Sequence, residues 1–198
     1  MLEYLKMMAQ LQDATYRNNN RGRTKLLNYT SVADFVLDRG SEPKISEPLT
    51  QDEYEYLMRT VKRCIVSNFP YRQCFYNAQV LLLADWDEQL TYVEGFCQSN
   101  IMPVHHGWLE MNGKVIDVTY STTDRTIDEH PPENLKDRVL GSIPSGWEYM
   151  GVSFQRSEVF DFLKTHQVSD GLIGNFRQIE KTFNLPRKGA KYANETQR

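Results

Sequence analysis

Cysteine and histidine are scarce in this chain of 198 residues, and long apolar runs are missing altogether. The three cysteines, Cys64, Cys74 and Cys97, are an odd number at irregular spacing, which excludes a disulfide framework and matches no zinc pattern. Free thiols in a reducing compartment are the expectation. The four histidines form no His-Glu-x-x-His motif, and "DEH" at 128–130 reads as a solvated acidic loop. Neither a structural metal nor a cofactor is expected. No stretch approaches the ~18 apolar residues of a membrane span, and "MLEYLKMMAQLQDATYR" lacks the apolar segment of a signal peptide. The expectation is a cytoplasmic protein with no membrane partner.

An excess of positive charge is also missing. The formal net charge of −3 argues against general nucleic-acid binding. The balance is uneven, because Arg187, Lys188, Lys191 and Arg198 face only Glu195 in the last 14 residues. Residues 185–198 therefore read as a basic, frayed tail. The stretch "RNNNRGRTK", 17–25, has no interleaved aromatic residue and reads as a polar connector.

What is present is an ordinary globular composition, with 40% hydrophobic and 25% charged residues and enough chain for one packed domain. The front is helical. Leu2, Leu5, Met8 and Leu11 recur at helical spacing, and "SVADFVLDR", 31–39, has a Ser31 cap and Gly40 to close it. "TQDE", 50–53, is a capping box that starts a helix with Tyr54, Leu57, Val61 and Ile65 as its inner stripe, and with Cys64 inside it. Past Pro70, "CFYNAQVLLLADW" reads as a buried helix and "LTYVEGF", 90–96, as a strand. "WEYMGVSF", 147–154, is a further strand and "SEVFDFLKTH" a helix, with a last helix in "LIGNFRQIEKTFNL". Residues 121–146, with three prolines, read as a long irregular connection, of the kind that often serves as a lid or specificity loop. The class is α+β, organised as a helical extension (1–48) packed on a core (49–184) with the basic tail (185–198) behind it.

Cys74 opens the most apolar helix of the chain. Free backbone N–H groups and the macrodipole at a helix start favour a thiolate, and the same groups can receive an oxyanion. By itself Cys74 reads first as one more buried packing cysteine. Cys97, at a strand end, is a rival nucleophile without a helix start to activate it.

A thiolate needs an acid–base partner, and that partner needs an orienting group. Asn112-Gly113 between two strand-like runs signals a two-residue type I′ hairpin. That turn pairs Met111 with Lys114, Glu110 with Val115, Leu109 with Ile116 and Trp108 with Asp117. His106 then lies opposite Thr119 and diagonal to Asp117, at roughly 7–8 Å between backbones. His106, Trp108 and Asp117 share one face, whereas His105 points through the other.

The segments "QCFYNA", "YVEGF" and "HHGWLEMNGKVIDVT" together resemble the core of the transglutaminase-like branch of the papain-like cysteine enzymes. That family has a Cys at a helix start, His-x-Trp on one strand and Asp-x-Thr on the next. Its typical His-Ala-Trp is "HGW" here and its Asp-Pro-Thr is "DVT". The resemblance runs from Arg72 to Thr119, a quarter of the chain. It implies a Cys74–His106–Asp117 triad on a helix packed against an antiparallel sheet, and cleavage or transfer of an amide or acyl group through a thioester. The implied substrate is a protein or peptide-like amide. The oxyanion donor would be the Cys74 backbone N–H, with Asn68, Gln73 or Tyr71 as side-chain candidates. Two other readings stand beside it: a binding module that keeps the fold without catalysis, and a protein whose helical front binds a partner while the core supports it.

Overall fold

The computed structural model describes residues 1–19, 29–64, 69–70, 72–99, 102–121, 135, 138–167 and 169–173. The last helix, the basic tail, "DEH", Ile65, Asn68, Tyr71 and most of the connections after Asn19 and Ser121 lie outside them. Five helices and a five-stranded antiparallel sheet make up the described chain, which is α+β. They run α1 (Leu2–Asn19), α2 (Val32–Arg39), α3 (Gln51–Arg63), α4 (Cys74–Ala84), β1 (Thr91–Gln98), β2 (Pro103–Met111), β3 (Lys114–Ser121), β4 (Arg138–Gly141), β5 (Glu148–Phe154) and α5 (Arg156–His166). The strand order is β4-β3-β2-β1-β5. None of the described helices is long and apolar enough to cross a membrane.

The helix starts are set by the residues that signal them. Ser31 accepts from the Asp34 N–H at 3.0 Å, and Gly40 closes α2 with its own N–H on the Val36 carbonyl at 2.7 Å. Thr50 and Glu53 exchange both bonds of the capping box. Glu53 does more than cap. Its carboxylate also takes 2.8 Å bonds from Asn112 and Lys114, tying the start of α3 to the hairpin turn. Two expectations need correction. Leu2 and Leu11 are exposed, and the inner face of α1 is instead Leu5 and Ala9, flanked by Tyr4 and Met8. Cys64 is the C-cap of α3 rather than a residue within it.

α4 is apolar around most of its circumference, as a core helix must be, with Ala78, Leu81 and Leu82 buried. Its two buried amides are anchored: Asn77 Nδ2 donates to the Pro70 carbonyl (2.8 Å) and to Thr119 Oγ1 (2.9 Å), and Gln79 Nε2 to the Asp170 carbonyl (2.7 Å). Arg156 caps the other end through the carbonyls of Leu82, Leu83 and Asp85. The helix lies on the face of the sheet that presents Tyr92, Leu109, Ile116 and Val118. The opposite face gathers Val93, Cys97, Trp108, Val115, Val139 and Tyr149 into a second, smaller core.

The hairpin turns at Asn112 and Gly113, both at positive φ (53° and 79°), as a type I′ turn requires. Its ladder pairs Met111 with Lys114, Glu110 with Val115 and Leu109 with Ile116. The expected Trp108–Asp117 and His106–Thr119 pairs are not part of the ladder among the described residues. The strands part where the first turn of α4 arrives, with Phe75 against Gly107 and Asn77 bonded to Thr119. A Cβ on Gly107 would sit 2.8 Å from the Phe75 ring, so the helix start can approach β2 only over a glycine. The connection read as irregular contains a strand, β4, which pairs with β3 across a register shift between Asp117 and Ser121. Four residues without a clean alternation leave little periodic signal.

Candidate active site

The parting of β2 and β3 brings three side chains together. Cys74 is the first residue of α4, half-buried, and its N-cap Gln73 makes no side-chain capping bond. The starts of α2, α3 and α5 all receive or return such a bond, through Ser31, Thr50 and Glu158. The first turn of α4 thus begins at the thiol without a side-chain cap from its N-cap residue.

His106 is 2% exposed, and its Nε2 donates to Asp117 Oδ2 at 2.7 Å. That leaves the other ring nitrogen available to the neighbouring Cys74 thiol, which helps to raise the imidazole pKa. Burial works against a charged imidazole here, but the adjacent carboxylate and the thiol outweigh it. The His106 pKa is raised. Asp117 is 1% exposed, yet its pKa is lowered. Burial opposes that shift too, and His106 together with the N–H groups of Thr119 (2.9 Å) and Tyr120 (3.1 Å) on Oδ1 overcome it. Both shifts favour the imidazolium–carboxylate form of the pair. Trp108 stacks on His106 with ring centroids 6.2 Å apart, and Tyr120 covers the ring at 4.5 Å.

His105 faces the other way. Its Nε2 lies 2.8 Å from Glu94 Oε1, and its ring sits 5.0 Å from Phe75. The expected division of faces between the two histidines is therefore present. Cys97 is fully buried with its pKa pushed up by burial, and Cys64 is pushed up to about 11 for the same reason. Neither cysteine sits at a helix start.

Two contributors escape a reading of the sequence. Tyr149 on β5 donates its hydroxyl to Asp117 Oδ2 at 3.0 Å. In strand order β5 stands three places from β3, so the sheet must curl to bring them together. Glu94 is fully buried and accepts from Tyr92 Oη (3.0 Å) and from the N–H groups of Leu172 (2.6 Å) and Ile173 (2.9 Å). A single glutamate within the apolar "TYVEGFC" is the available signal for the second. Among the described residues no group of three or more His, Cys, Asp or Glu is placed to hold a metal ion. No family model, curated protein or solved structure matches the chain.

Proposed function

We propose that this protein is a cysteine-nucleophile enzyme, of the papain-like and specifically transglutaminase-like kind, acting on an amide or related acyl carbon. One observation carries the reading: a half-buried thiol at a helix start without a side-chain cap neighbours an imidazole whose Nε2 is bonded at 2.7 Å to a buried carboxylate. Cys74, as thiolate, attacks the carbonyl carbon, forming the S–C bond and moving the π electrons onto oxygen. The first-turn N–H groups of α4 receive that oxyanion. His106 gives its proton to the departing amine as the C–N bond breaks, leaving a thioester. Water, deprotonated by the now neutral His106, attacks the thioester, and the thiolate leaves with the charged imidazole restored beside it. Asp117 holds the ring in the tautomer this sequence needs. A protein or peptide-like amide fits this chemistry, and water is the default acyl acceptor.

The test is an electrophilic acyl probe applied to the native protein, with the labelled residue found by mass spectrometry. Label on Cys74, lost in Asp117→Asn and His106→Ala, supports the reading. Label spread over Cys64, Cys74 and Cys97, or unchanged in both variants, overturns it. Once a substrate is found, millimolar primary amine should divert little product. Near-complete capture by amine would make the enzyme a transferase.

A further inference from the structure

The carboxylate that orients His106 has a second buried donor on the same oxygen. Asp117 Oδ2 takes Nε2 of His106 at 2.7 Å and the Tyr149 hydroxyl at 3.0 Å, while Oδ1 takes two backbone N–H groups. Tyr149 is 1% exposed, with its ring edge-on to Trp108 at 5.2 Å, so it cannot swing away without opening the smaller core. Cys97 is its cross-strand partner on β1. The groups facing the His106–Asp117 pair are thus Cys74 from α4, Tyr120 from β3, Tyr149 from β5 and, behind Tyr149, Cys97 from β1.

We propose that Tyr149 is a positioning residue that fixes Asp117 against His106 and, by sharing Oδ2, limits how tightly the carboxylate holds the imidazolium proton. This rests on the reading of Cys74, His106 and Asp117 given above. The chemical need is plain. An imidazolium must surrender its proton to a leaving amine, and a carboxylate with no other partner on that oxygen would retain it. Two donors on one oxygen compete, so each bond is weaker than it would be alone. A protonated phenol suits this role, because burial and the neighbouring carboxylate both keep Tyr149 neutral. Its donor is therefore present across the working pH range.

The measurement is the titration of the His106 ring by nitrogen-15 NMR in the full chain, in wild type, Tyr149→Phe, Asp117→Asn and the double variant. Phenylalanine keeps the ring on Trp108 and removes only the hydroxyl. The expected result is an upward shift of the His106 titration by about one pH unit, a tenfold change in proton affinity, in Tyr149→Phe. In the Asp117→Asn background the same substitution should shift it by far less. An unmoved titration in Tyr149→Phe, or an equal shift in both backgrounds, overturns the proposal. Should Tyr149→Phe fail to fold, biosynthetic 3-fluorotyrosine supplies a more acidic phenol and should move His106 downward, with no movement counting against the proposal. The pH dependence of Cys74 alkylation is recorded in parallel. Loss of selective alkylation in wild type sinks the enzyme reading, whereas the NMR shift judges Tyr149 whatever that outcome.

Discussion

Two consecutive histidines of β2 each sit on a carboxylate, at 2.7 Å for His106–Asp117 and 2.8 Å for His105–Glu94. Distance does not separate them. What differs is the alignment of the contact, since His106 Nε2 is hydrogen-bonded and His105 Nε2 makes no hydrogen bond among the described residues, and the remainder of each surrounding. His106 has the Cys74 thiol as a neighbour that helps to raise its pKa, and Asp117 is supplied with donors from β3 and β5. Glu94 spends its other bonds on Tyr92 and on the backbone of Leu172 and Ile173, clamping the chain after α5 onto the sheet. His105 is partly exposed between Phe75 and Phe96 and has no nucleophile. A histidine beside a buried carboxylate is thus not by itself the mark of a site, and in the proposed reading it is the thiol partner that distinguishes His106.

The largest expected effect breaks the comparison at its reactive end. Substoichiometric iodoacetamide near neutral pH should label Cys74 well before Cys64 and Cys97, and peptide mapping that finds equal labelling refutes the assignment. Next, His106→Ala should lower turnover of an acyl probe by about 10²–10⁴-fold while the protein stays folded. His105→Ala should stay within several-fold of wild type. A dead His105 variant beside an active His106 variant would invert the whole reading.

Glu94 should announce itself in stability rather than turnover. Glu94→Gln puts an amide NH2 in place of one of the two acceptor oxygens, facing either the Leu172 or the Ile173 N–H, and should cost about 1–3 kcal/mol in denaturant unfolding, far more than His105→Ala. A neutral result would show that the clamp contributes nothing.

The charged pair also fixes a pH window. Asp117 has its pKa lowered from 3.8, so its contribution is present above 3.8 and fades as the pH falls through the lower folded value. His106 has its pKa raised from 6.5, so its contribution is complete below 6.5 and fades as the pH rises through the folded value. Melting temperatures of wild type and Asp117→Asn should therefore lie furthest apart between those limits and converge on both sides. A constant gap would mean that the pair is not ionised. Smallest of all, Glu53→Gln should cost about 1 kcal/mol, because glutamine keeps one acceptor oxygen and Lys114 keeps the Pro48 carbonyl. Its pKa is lowered to about 2 by Asn112, Lys114 and the Thr50 N–H, so the loss should vanish as the pH falls from 4.5 toward 2.

Much of this site is legible in the sequence because it depends on local rules. A type I′ turn at Asn112-Gly113 sets the side-chain alternation of β2, and that alone sends His106 and His105 to opposite faces. Cys74 is marked by the switch to an apolar helix after Pro70. The illegible part is long-range. Tyr149 looks like any strand aromatic until the sheet curls, and the separation of β2 from β3 below Leu109 follows from α4 arriving there, which no pattern within "VHHGWLEMNGKVIDVTY" encodes. The inner face of α1 departs from the expected stripe because a spacing of three drifts around a helix of 3.6 residues per turn, carrying Leu2 and Leu11 off the buried side.

Glu53 couples two events in folding. It lies about 60 residues from the turn it holds, and the same carboxylate completes the start of α3. Docking of the hairpin is thus rewarded at the helix, and formation of the helix at the hairpin. Amide hydrogen exchange should therefore find the first turn of α3 and the Asn112-Gly113 turn opening together as one cooperative unit, with Glu53→Gln separating their rates.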